Sequence, residues 1–211
     1  MFITFEGIEG CGKTTQIRRL KRSLLKRGIP CLATFEPGGT EVGRKIRKIL
    51  LDSRNIALLP LAELMLYEAD RAQHVQEVVR PALRRGLWVL CDRFFDATVV
   101  YQGFARGQDE KMIRFLNERA TQGLVPELTF LLDCPVELGL ARATARNNKG
   151  QDRFEREKMA FHRKIREGYL DLSRKHPKRF VVIDATAGRD AVEKKIFERI
   201  QRLLQKKLRG T

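Results

Sequence analysis

The sequence predicts an α/β fold, a five-stranded parallel sheet with helices on both faces. Three observations carry this. Five short apolar runs recur along the 211 residues, separated by stretches of helical periodicity. The first run leads straight into a glycine-rich loop that opens a helix. No repeat, low-complexity tract or linker interrupts the alternation, so one domain over residues 1–211 is expected.

The elements follow in order. Phe2–Glu6 is apolar enough for a buried strand, and residues 13–27 carry a helical pattern behind the loop. Residues 30–35 form the second apolar run. Glu36-Pro37-Gly38-Gly39-Thr40 then breaks the chain as a turn leading into an N-cap. A helix is expected over 41–51 and a long one over 60–85, with Pro60 suited to its first turn. Gly86 precedes the third strand, 87–91. Residues 109–122 read as helix, 127–132 as the fourth strand, and a further helix starts at Pro135. A highly charged helix spans 151–175, the fifth strand 179–184, and the last helix follows Gly188.

Composition narrows the function classes. Hydrophobic residues make up 43% of the chain, compatible with a packed core. No apolar run approaches the ~20 residues of a membrane span, so no membrane association is expected. Met1 leads directly into the first strand, so no signal peptide is expected. The four cysteines show neither C-x-x-C pairing nor metal-ligand spacing, which suits a reduced, cytoplasmic compartment. The net charge of +16 implies anionic partners, nucleotide phosphates or nucleic acid. Part of it is an ordinary solvated face. Lys195, Arg199, Arg202 and Lys206 recur at helical spacing opposite Ile196, Ile200, Leu203 and Leu204.

The chemistry is concentrated at Gly7-Ile8-Glu9-Gly10-Cys11-Gly12-Lys13-Thr14, a G-x-x-x-x-G-K-[ST] loop between strand and helix. Its glycines let backbone N–H groups wrap a phosphate, and the helix N-terminus adds partial positive charge. Lys13 is expected to reach the β/γ-phosphates of ATP and the Thr14 hydroxyl to ligate Mg²⁺, with Thr15 completing the ATP-binding loop. The fold is therefore expected to be of the P-loop NTPase type. Asp92, closing the third strand, stands where open α/β sheets bind ligands, and in this company it suits Mg²⁺ as well. Arg93 beside it could bridge donor and acceptor phosphates. Glu36 is well placed to face the same site. Tyr67 and Arg71 lie four apart on one helical face, where a ring and a guanidinium could stack and hydrogen-bond a nucleobase. Residues 142–153, rich in Arg, Lys, Asn and Gly, are expected to form a mobile lid that delivers cations to the transferred group. No role is read for His74, His162 or His176.

Taken together, "FITFEGIEGCGKTTQ", "EPGGT", "LYEADRAQHV", "CDRFFDATVVYQG" and "DRFE" resemble, in order and spacing, the thymidylate kinase family of P-loop nucleoside-monophosphate kinases. The resemblance implies roles at matching positions. Tyr67 stands for the more usual Phe that stacks on thymine, and Arg71 bonds the thymine carbonyl. Arg47 lines the dTMP pocket, Arg93 bridges phosphates, and Thr98 and Gln102 bond the base. Tyr101 crowds the sugar 2′ position and Glu9 lies near the 3′-hydroxyl. Some members carry an Arg where this chain has Gly10. Its absence implies the bacterial form, with lid cations supplying the charge: Arg146, Lys149 and Arg153 are the candidates, Arg146 and Arg153 being read as catalytic. Phe35 replaces a basic residue common in the family, so another cation must compensate. A homodimer is implied by resemblance.

The expected reaction moves the γ-phosphoryl of ATP to dTMP, giving dTDP and ADP for dTTP synthesis. The protein's part is positioning and charge neutralisation, and no strong general base is needed because the acceptor phosphate is already anionic. Another (deoxy)nucleotide kinase is the alternative of the same class, signalled by a changed base pocket. A nucleic-acid-associated P-loop ATPase is the alternative of another class. There is no N-K-x-D run for guanine, a motor would need more chain, and nucleic acid is not an expected partner. A non-catalytic basic module is disfavoured by the complete loop.

Overall fold

Five parallel strands run in the order β2-β3-β1-β4-β5 in this computed structural model, which describes residues 1–146 and 153–209. They are β1 (Phe2–Glu6), β2 (Cys31–Phe35), β3 (Trp88–Asp92), β4 (Leu128–Asp133) and β5 (Phe180–Asp184). β1 is central, pairing with β3 on one side and β4 on the other, with Phe5 opposite both Asp92 and Phe130. Every residue of β1 is buried, as a strand covered on both faces must be.

Alternation along β1 separates two apolar layers. Ile3 and Phe5 point into the larger core with Ile17, Leu20 and Leu24 of α1 (Lys13–Leu25) and Val192, Ile196 and Ile200 of α9 (Arg189–Arg209). Phe2 points the other way, with Val89 and Cys91 of β3, toward Val75, Val79 and Ala82. The Ile196 and Ile200 face of α9 is buried as its periodicity requires, while Lys195 and Arg202 are exposed.

The long helix expected over 60–85 is not uniform. α3 (Pro60–His74) passes into a π-helical turn, Val75–Val79, before α4 (Arg80–Arg84). The reason is visible in the sequence: Pro81 has no N–H for the α-helical ladder. A second π segment, Val99–Ala105, continues α5 (Phe95–Thr98). α2 (Glu41–Leu51) starts on Thr40, whose hydroxyl accepts from the Gly43 N–H, as the turn-and-cap reading requires. α6 is Glu110–Thr121 and α7 is Val136–Arg146. The charged helix expected from 151 begins later, α8 being Met159–Lys175. All four cysteines are buried free thiols. Among the described residues no helix is long and apolar enough to cross a membrane.

Candidate active site

β1, β2 and β3 all deliver their C-terminal ends to one edge of the sheet, where a cavity of about 470 Å³ opens. The loop after β1 forms one wall. Gly12 sits at φ 100° at the head of α1, a conformation open to glycine. Gly10, at φ 68°, backs onto α7. A Cβ there would lie 1.9 Å from the Gly139 carbonyl oxygen, so a larger residue would need α7 to move. An arginine at this position is thus excluded by packing.

Lys13 is buried and folds over the loop, its Nζ donating to the carbonyls of Gly7 (3.0 Å) and Ile8 (2.9 Å). The Thr14 hydroxyl donates to Asp92 Oδ2 at 2.5 Å, which brings the two expected Mg²⁺ ligands together across α1 and β3. Both are hard oxygen donors. Among the described residues no group of three or more His, Cys, Asp or Glu could hold a metal. A hydroxyl and one carboxylate fit Mg²⁺, which takes most of its remaining ligands from water and substrate phosphates.

Arg93 sits in the middle of the cavity wall in a left-handed conformation (φ 67°), with its N–H donating to the Phe5 carbonyl. Its guanidinium donates to Glu9 Oε1 (3.0 Å) and Tyr169 Oη (3.0 Å) and lies 5.0 Å from the Tyr101 ring centroid. Tyr101 Oη donates to the same Glu9 oxygen at 2.6 Å. Burial opposes the Glu9 charge, but His162, Arg93, Lys13 and Tyr101 outweigh it and hold the carboxyl well below the usual carboxylate range. Behind Arg93, Tyr169 donates to Glu6, which burial and neighbouring Asp96 push up to about 8.

The far end is built on α3 and the second π segment. Arg71 is 1% exposed, so it is no surface arginine. It donates to Glu36 Oε2 (2.9 Å), Glu68 Oε1 (2.8 Å) and Asn117 Oδ1 (3.1 Å). Glu36 also takes the His74 ring at 2.7 Å, and His74 reaches the Thr34 hydroxyl at 2.6 Å. Four groups therefore fix the Arg71 and Glu36 pair before any substrate arrives. Tyr67, Thr98, Tyr101 and Gln102 line the same cavity. The Thr98 hydroxyl is buried with no hydrogen-bond partner among the described residues, whereas Gln102 Nε2 donates to Glu63 at 2.8 Å. Arg47 lies 5.8 Å over the Phe35 ring and donates to the Pro37 carbonyl at 2.7 Å. Arg47 thus brings a cation from α2 beside Phe35.

Of the residues singled out in the sequence, Glu9, Gly10, Gly12, Lys13, Thr14, Glu36, Arg47, Tyr67, Arg71, Asp92, Arg93, Thr98, Tyr101 and Gln102 line this cavity. Gly7, Ile8, Cys11 and Thr15 complete the loop and first helical turn without lining it. Arg153 is turned elsewhere. Its guanidinium donates to Glu63 and to the Leu50 carbonyl (2.9 Å), which ties it to α2 and α3. The side chain of Arg146 and residues 147–152, Lys149 included, lie outside the described residues. Sequence reasoning passed over Glu63, His74 and His162. The 3–4 spacing of Glu63, Tyr67, Arg71 and His74 places them on one helical face, and that spacing was the available signal.

A model of the thymidylate kinase family matches residues 5–196. A thymidylate kinase of Geobacter sp. (strain M21) is 54% identical over 208 residues, spanning 97% of this chain and 92% of that one. One from Citrifermentans bemidjiense is 58% identical over 189 residues, 88% of this chain and 84% of its own. The crystal structure of thymidylate kinase from Ehrlichia chaffeensis matches with a TM-score of 0.76 at 30% identity, over 95% of this chain and 98% of that chain.

Proposed function

The chain belongs to the thymidylate kinase family and phosphorylates dTMP, and we propose that it does so with ATP and Mg²⁺, donor and acceptor phosphates meeting at Arg93. The observation that supports this reading is one continuous cavity lined by the phosphate loop, by Arg93 and by Tyr67, Arg71, Thr98 and Gln102. Lys13 leaves the loop carbonyls to accompany the β/γ-phosphates of ATP, and the loop N–H groups hold the rest. Thr14 and Asp92 hold Mg²⁺, which neutralises charge on the donor oxygens. Arg93, already aligned by Glu9 and Tyr169, spans the transferring group. A further cation comes from the segment 142–153, with Arg146 and Arg153 as candidates, because Gly139 bars a long side chain at Gly10.

At the acceptor end Tyr67 stacks on the base, Arg71, Thr98 and Gln102 bond its edge, and Arg47 approaches the dTMP phosphate from α2. Glu9 faces the 3′-hydroxyl and Tyr101 the sugar 2′ carbon. Catalysis on these terms is positioning and electrostatics, with no covalent step on the protein. We read the chain as one P-loop kinase domain, since residues from Phe2 to Ile200 share the sheet and its cores.

The working unit is a homodimer and the setting is cytoplasmic. Val42 and Ile49 of α2, Leu61 and Met65 of α3 and Phe115 of α6 are 45–55% exposed on helices that pack together, an apolar surface suited to a second copy. Light scattering on the eluted protein should give twice the chain mass, and a monomer at micromolar concentration would remove this part. The site assignment is tested at Tyr101. Tyr101→Ala should lower the ratio of kcat/KM for dTMP over ribothymidine monophosphate. An unchanged ratio with both activities reduced would make Tyr101 a packing residue only.

A further inference from the structure

Glu63 is the most heavily engaged carboxylate that the reaction itself does not call for. It is 1% exposed, in the first turn of α3. Its Oε1 accepts from Gln102 Nε2 (2.8 Å) and Arg106 Nε (3.0 Å), and its Oε2 accepts from Arg153. Arg106 continues to Glu157 at 2.9 Å. With guanidinium N–H groups already on both of its oxygens, the carboxyl meets Gln102 as an acceptor.

That matters because of what a glutamine amide is. Its two ends are nearly identical in shape and opposite in hydrogen bonding. In a base pocket, turning the amide over exchanges a donor for an acceptor. Against the Glu63 acceptor only one orientation fits, Nε2 toward the carboxyl, since the reverse sets oxygen against oxygen. The Gln102 carbonyl is then the end left to meet a base in the cavity it lines. Thymine and uracil carry N–H at ring position 3 and satisfy that acceptor. Cytosine carries a bare nitrogen there and does not.

We propose that Glu63 is a specificity-determining positioning residue: fixed between Arg106 and Arg153, it locks the Gln102 amide so that the pocket accepts bases with N–H at position 3 and rejects cytosine. This rests on the dTMP pocket described above. It accounts for an arginine of the "DRFE" segment turning away from the phosphate loop. It also explains why three donors from two parts of the chain converge on one side chain that faces no substrate.

The test is steady-state kinetics of the full chain with dTMP, dUMP and dCMP. Wild type that fails to prefer dTMP over dCMP would refute the pocket reading itself. With that preference established, Glu63→Gln frees the amide to turn over. The dTMP/dCMP ratio of kcat/KM should fall at least about tenfold, the scale of one mismatched buried polar pair. The dTMP/dUMP ratio and the KM for ATP should stay within about twofold, because neither depends on position 3. Glu63→Asp shortens the reach of the carboxyl to Gln102 while keeping a carboxylate that the long arginine side chains can follow, and serves if the glutamine variant does not fold. It should show the same selective loss. Adding Glu63→Gln to Gln102→Leu should leave the ratio of the single Gln102→Leu variant unchanged. A wild-type dTMP/dCMP ratio in a folded Glu63 variant, or equal losses for all three nucleotides, would overturn the proposal.

Discussion

Thr98→Val should stabilise the free protein and weaken its hold on dTMP. Thr98 is 1% exposed and its hydroxyl has no hydrogen-bond partner among the described residues, although the residue lines the cavity. A buried hydroxyl in that position costs about 1–3 kcal/mol relative to an apolar group of the same shape. Valine has that shape, so the free protein should gain up to about that amount. For a domain of this size each kcal/mol moves Tm by about 2–4 °C, so a rise of several degrees is expected without nucleotide. With substrate bound the sign reverses. If the hydroxyl bonds the base, its loss removes about 0.5–1.5 kcal/mol, which raises the KM for dTMP roughly two- to tenfold. The KM for ATP should not change. Differential scanning fluorimetry with and without dTMP, beside steady-state kinetics, reads both halves. A lower Tm in the free variant would refute the orphan-hydroxyl argument. An unchanged KM for dTMP would remove Thr98 from the base pocket.

The other expectations follow from the same geometry. Lys13→Ala should lower kcat by at least about a hundredfold while dTMP binding, measured by calorimetry, stays within about twofold; near-normal turnover would refute the loop's role. Removing Arg146 should reduce kcat far more than either KM, since a cation delivered to phosphoryl transfer can be worth ~10³–10⁵; if Arg146→Ala and its double with Arg153→Ala keep half of wild-type kcat, the cation comes from elsewhere. Asp70 supplies a pH test. Burial, with Glu36 nearby, raises its carboxyl to about 6 from an ordinary 3.8, so the native state binds this proton more tightly. Its contribution is therefore fully present below about pH 4 and lost as pH rises through 6. Asp70→Asn keeps an acceptor for the Gly38 N–H, so urea melts should show the variant gaining about 1–3 kcal/mol on wild type between pH 4 and 7.5. A stability difference that does not vary with pH would contradict this.

The fold was legible because its signals are local. Alternating periodicities, a glycine-rich loop and short polar breaks each depend on a few neighbouring residues, and all five strands fell within about a residue or two of the runs that predict them. The π segments were not legible, since a widened turn depends on how the helix packs as well as on its composition. Pro81 hinted at the first, and Val99–Ala105 carried no warning at all. The phosphate end of the site was read directly from one contiguous motif. At the base end, Tyr67 and Arg71 shared a face by spacing alone, and the remaining assignments came through family resemblance. What stayed hidden were groups that act through others. Glu63, His74 and Asn117 touch residues more than 35 positions away, and such pairings have no periodicity to betray them. The Arg47 and Phe35 contact is of the same kind: Arg47 was singled out in the sequence, but its place beside Phe35 became visible only in three dimensions.

The most direct test of dTMP phosphorylation at this cavity is coupled ADP release by the purified chain across dTMP, dUMP, dCMP, dAMP and dGMP. The predicted result is turnover that requires a monophosphate, with the highest kcat/KM for dTMP and at least about a tenfold lower value for dCMP, whose base leaves buried polar groups of the pocket unmatched. Equal kcat/KM for dTMP and dCMP, or ATP turnover that ignores dTMP and rises with DNA, would contradict it.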